Sequence, residues 1–94
     1  MLGMNVSKKE NDLIVKWQLS KTNIPINEIT SIKLDDTYGG ENKEAVRIGT
    51  PYGTTDRLVI ETNKQNYILF TTDIHSIIRK VETYSGMSVS NVQK

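Results

Sequence analysis

Tyr67-Ile68-Leu69-Phe70-Thr71, then Thr72-Asp73, then Ile74-His75-Ser76-Ile77-Ile78-Arg79-Lys80-Val81-Glu82: this run, inside residues 66–86, decides the architecture. The first five residues read as an apolar strand, and the period changes after them. Ile74, Ile77, Ile78 and Val81 fall at i, i+3, i+4 and i+7, one stripe of a 3.6-residue period, while His75, Ser76, Arg79, Lys80 and Glu82 take the other side. Thr72 or Asp73 is placed to cap this helix, since a side-chain oxygen there accepts amide hydrogens of the first turn. Gly86 is a natural stop, because glycine enters the left-handed region without a side-chain clash. A helix with one apolar stripe has to bury it, so the junction predicts a sheet covered by a single helix.

Working back from it, Arg57-Leu58-Val59-Ile60-Glu61-Thr62 reads as a strand, and Asn63-Lys64-Gln65-Asn66 is about the length of a hairpin loop. These two strands are therefore antiparallel neighbours. Ala45-Val46-Arg47-Ile48 is a short strand, followed by a connection over 49–56 rich in turn formers; Ser31-Ile32-Lys33-Leu34 is another, followed by a polar loop over 35–43. Pro25 lacks an amide donor, so Ile24-Pro25-Ile26 belongs at a sheet edge or in a short bridge, and Asn27-Glu28-Ile29 makes one turn. Leu13, Val15, Trp17 and Leu19 alternate with Ile14, Lys16, Gln18 and Ser20, giving one strand whose apolar face shares a core with the helix stripe. Leu2, Met4 and Val6 alternate in the same way before a turn at 8–12. Connections too short for helical crossovers make the expected fold mainly β: a curved antiparallel barrel of six or seven strands closed by one amphipathic helix. Residues 1–86 form one domain and 87–94 a flexible tail.

Composition narrows the function. The chain has 94 residues, 12 basic and 11 acidic side chains and a formal charge of +1, with no block of like charges to track nucleic acid. Cysteine is absent, which excludes disulfides, thiolate metal sites and a cysteine nucleophile. The N-terminus does not read as a signal peptide, and no run of about 18 apolar residues spans a bilayer. These features fit a soluble cytoplasmic protein.

Asp35-Asp36-Thr37-Tyr38-Gly39-Gly40, the long motif from Arg47 through Gly49-Thr50-Pro51-Tyr52-Gly53-Thr54-Thr55-Asp56 to Arg57, and Tyr67-Ile68-Leu69-Phe70-Thr71-Thr72 together resemble the sublancin-immunity-like family of small Bacillus-type proteins, which carry a bacterial pleckstrin-homology-like domain. The likeness covers most of residues 13–82. It implies a curved two-sheet barrel closed by the C-terminal helix and, in the family's named member, protection of a producer cell against its own bacteriocin. Residues 1–11 hold no counterpart to that member's N-terminal apolar anchor.

Chemistry is sparse. Asp35, Asp36, Glu41 and Glu44 lack the spacing of a calcium loop. Gly49, Gly53, Thr54 and Thr55 lack the lysine and helix start of a phosphate cradle and read as a turn. His75 is the only histidine and lies on the polar side of the helix, with nothing marking a nucleophile elbow, so no enzyme and no cofactor is expected. A lipid headgroup is disfavoured, because Glu10 and Asp12 follow Lys8 and Lys9 at once. The expected role is noncatalytic binding of a protein or peptide, with bacteriocin immunity as the alternative. Tyr38 and Tyr52 sit on the loops 35–43 and 49–56, and tyrosine is enriched at interfaces; the alternative is that Tyr52 packs over the barrel mouth and Tyr38 is disordered. Arg47, Asp56 and Arg57 are the charged groups beside them, with a structural ion pair as their default reading and completion of the candidate partner-binding set as the other.

Overall fold

The computed structural model describes residues 4–34, 45–49 and 56–91. Among these described residues, eight strands and one α-helix follow in the order β1 Asn5–Lys9, β2 Asp12–Trp17, β3 Ser20–Pro25, β4 Ile29–Leu34, β5 Val46–Ile48, β6 Asp56–Thr62, β7 Asn66–Thr71, α1 Ile74–Ser85 and β8 Ser90–Asn91. A short 3-10 turn, Ile26–Glu28, joins β3 to β4 where one turn was expected. The strands make two sheets, β1-β2-β3 and β5-β7-β6-β4-β8.

Both sheets and the helix bury their apolar sides in one core. Val6, Leu13, Val15 and Ile24 come from the first sheet, Ile32, Ile48, Leu58, Ile60, Tyr67 and Leu69 from the second, and Ile74, Ile77 and Val81 from α1. The helix packs against β1, β2 and β6. It ends as its sequence requires: Gly86 sits at φ 76°, ψ 11°, and its N–H donates to the Glu82 carbonyl at 2.9 Å. Its start differs from expectation, because Asp73 makes no side-chain cap; instead the buried Thr71 hydroxyl accepts the Asp73 N–H at 3.0 Å.

Several expectations are corrected. The sheets do not close into a barrel, and the pairing is not wholly antiparallel: β5 runs parallel to β7, and β8 parallel to β4. Because β6 and β7 form a tight antiparallel hairpin, a strand that precedes β6 and lies beyond β7 runs parallel to β7 even over a short connection. The strand read through Ser20 turns back at Gln18-Leu19. Trp17 pairs with Ser20, Gln18 takes φ 56°, and Leu19 is 104% exposed at the tip instead of joining the core face. The Glu10-Asn11 turn between β1 and β2 has the same form, with Glu10 at φ 58°. A positive φ at the first central residue matches the twist of a two-residue hairpin, and here it is reached without glycine. Past Gly86, in the segment expected to be a flexible tail, Met87 and Val89 pack against the core before β8 pairs with β4. Two alternate apolar residues are too few to register as a strand in sequence.

Candidate binding face

Strand alternation gives the five-stranded sheet a second face. Leu58, Ile60, Tyr67 and Leu69 point to the main core, whereas Val59, Ile68 and Phe70 fall between them and join Ala45 in a separate buried cluster. Val59 and Ile68 are 0% exposed, as dry as the residues of the main core. One row of this outer face runs Lys33, Val59, Ile68, Arg47 across β4, β6, β7 and β5.

Charged groups border the cluster on three sides. Arg57 lies opposite Phe70, its guanidinium carbon 5.8 Å from the ring centroid, in the range where a cation gains from the ring quadrupole. At the other end, Lys33 Nζ is 3.4 Å from Glu61 Oε1, and the Ser31 hydroxyl donates to the same oxygen at 2.5 Å. Arg47 is exposed on β5, the terminal strand of the sheet. The register therefore brings Arg47 and Arg57 to one face, two strand spacings and a two-residue step apart, on the order of 12 Å.

Asp56 opens β6 opposite Thr71, half-buried, and by alternation belongs to the other side of the sheet from Arg57. Tyr38 and Tyr52 lie outside the described residues, as do Asp35, Asp36, Glu41 and Glu44 of the acidic loop and Gly53, Thr54 and Thr55 of the turn. Gly49 is described, at φ 97°, and a Cβ there would run into the carbonyl oxygen of Phe70 and come within 3.2 Å of Met4 Cε. Close approach of two backbones explains this glycine. His75 is exposed on the helix. Val59, Ile68 and Phe70 were not among the expected site residues. Their signal was the unbroken apolar runs Leu58-Val59-Ile60 and Tyr67-Ile68-Leu69-Phe70, which mark strands buried on both faces.

A family model for SunI-like bacterial PH domains matches residues 2–83. The chain belongs to that family. This SunI-like PH domain is 58% identical over 81 residues to UPF0457 protein YnzG of Bacillus subtilis (strain 168), which covers 86% of this chain and 98% of the relative. It is 54% identical over 84 residues to a UPF0457 protein of Geobacillus thermodenitrificans, covering 89% and 90%, and 51% identical over 82 residues to one from Bacillus thuringiensis subsp. konkukian, covering 86% and 98%. No solved structure matches it. No helix among its described residues is long and apolar enough to cross a membrane.

Proposed function

We propose that this SunI-like PH domain is noncatalytic and acts by binding a protein or peptide at the arginine-bearing rim of the outer face of β5, β7 and β6. The observation that carries the reading is the register that sets Arg47, exposed on the terminal strand, and Arg57, laid over Phe70, on one face beside the buried cluster Ala45, Val59, Ile68 and Phe70. Arginine and aromatic groups are enriched at interface centres, and an arginine stem covers apolar surface. In this reading Tyr38 and Tyr52 contribute from the segments that flank β5 in sequence, and Asp56, on the other side of the sheet, takes no part. Placing a photoreactive phenylalanine at Arg47, and separately at His75 on the helix, tests it in the native host. A discrete protein adduct from position 47 and none from position 75 is expected; equal labelling, or none at 47, overturns the reading.

A second reading, immunity against a bacteriocin, is supported by the family resemblance. Expression in a sublancin-sensitive strain should then restore growth in the presence of the bacteriocin, and unchanged killing removes this reading.

A further inference from the structure

We propose that the outer face of the three-stranded sheet is a separate docking surface whose occupant is an acidic, extended polypeptide segment. It does not depend on the Arg47–Arg57 face. The twist of β1, β2 and β3 leaves an open hollow of about 620 Å³, lined by Lys8, Lys9, Lys16 and Lys21 against Glu10 and Asp12 as its carboxylates. Ile14 forms its floor, 5% exposed, between Ser7 and Asn23 on the neighbouring strands.

Lys33 and Lys64 each meet a carboxylate, Glu61 at 3.4 Å and Glu28 at 3.2 Å. Among the described residues none of the hollow's lysines forms such a pair, and Lys16 stands directly opposite Lys21. Like charges directly opposite on adjacent strands are destabilising, so this pair is a local repulsion that an anionic occupant relieves. Asp12 is already engaged, accepting from Asn23 Nδ2 at 3.3 Å.

Shape and lining select the class of anion. Lys9 faces Asp12, four residues along β2 from Lys16, so the positive charges span about 13 Å, the reach of four extended residues. Carboxylates on alternate residues of an extended chain recur about every 7 Å and can meet Lys9 and the Lys16–Lys21 pair together. Among the described residues no aromatic side chain lines the hollow to stack a base, and the carboxylates of Glu10 and Asp12 interrupt a continuous phosphate track. A flat bilayer surface does not enter a concavity.

The test is an amide-shift titration of isotope-labelled protein with a hexaglutamate peptide, with vesicles containing phosphatidylglycerol as the competing arm. Saturable shifts confined to β1, β2 and β3 are expected. Lys16→Glu/Lys21→Glu should weaken binding about tenfold or more, and the milder Lys16→Gln/Lys21→Gln should weaken it in the same direction, as expected when close charge pairs carry the contact. Lys64→Glu/Arg79→Glu, with the same net charge change elsewhere, should change it less than about twofold. Equal weakening by the control, shifts scattered over the surface, no saturation, or stronger retention on the vesicles than on the peptide each overturns the proposal.

Discussion

The three-stranded sheet turns a polar, lysine-bearing face outward, whereas the five-stranded sheet buries both of its faces at β6 and β7, and the two regions are written differently in sequence. In β6 and β7, Leu58-Val59-Ile60 and Tyr67-Ile68-Leu69-Phe70 are buried without interruption. β1 and β3 bury one residue each, Val6 and Ile24, and leave the rest half-buried or exposed. A strand covered on one side can devote its other side to charge, and among the described residues Lys8, Lys9, Lys16 and Lys21 gather here without an ion pair. A strand covered on both sides has charge only at its ends, which is where Arg57 and Glu61 stand.

The comparison can be broken most forcefully at the shared core. Leu69→Ala and Leu13→Ala, one from each sheet, should each lose about 2–5 kcal/mol and still unfold in one transition by both fluorescence and far-UV circular dichroism in urea. Separate transitions would mean two independent sheets. Ile68→Ala asks whether the outer cluster is a second core: a loss of about 2–4 kcal/mol is expected, and one below about 1 kcal/mol would reduce it to a covered surface. Gly49→Ala combines a positive φ with the Phe70 carbonyl in the way, so a loss of more than about 1 kcal/mol should appear as a lowered Tm. Trp17 is only half-buried at the edge of the core, so Trp17→Ala should cost about 1–3 kcal/mol, below the 3–5 kcal/mol of a fully buried tryptophan. Leu19→Ser, two residues on at the exposed tip, should change stability by less than about 0.5 kcal/mol. A large effect there would return Leu19 to the core.

What was legible follows the same division. The strand-to-helix junction at 66–86 was readable because a continuous run and a 3.6-residue stripe are both local signals, and Gly86 marked its end. β3 was read only at its Ile24-Pro25 end, because Ser20-Lys21-Thr22-Asn23 offers no apolar residue, and the turn before it, Gln18-Leu19, has no glycine or asparagine to announce it. The parallel pairings were invisible for another reason: which strand β5 joins is set by the sheet, and no window of sequence records it. That also limited the site. Arg47 and Arg57 were read as neighbours of one turn, but their common face comes from the pairing of β5 with β7 and β7 with β6.

The short β8 has a kinetic meaning. β1–β2 and β2–β3 close over two-residue turns, so their pairing costs little loop entropy, whereas Ser90 must return across most of the chain to lie beside Lys33. Local contacts enter a folding nucleus early and distant ones late. Removing residues 90–94 should therefore speed unfolding while leaving the refolding rate almost unchanged in stopped-flow measurements. The lifetime of the folded domain would then depend on a strap of two residues fastened last.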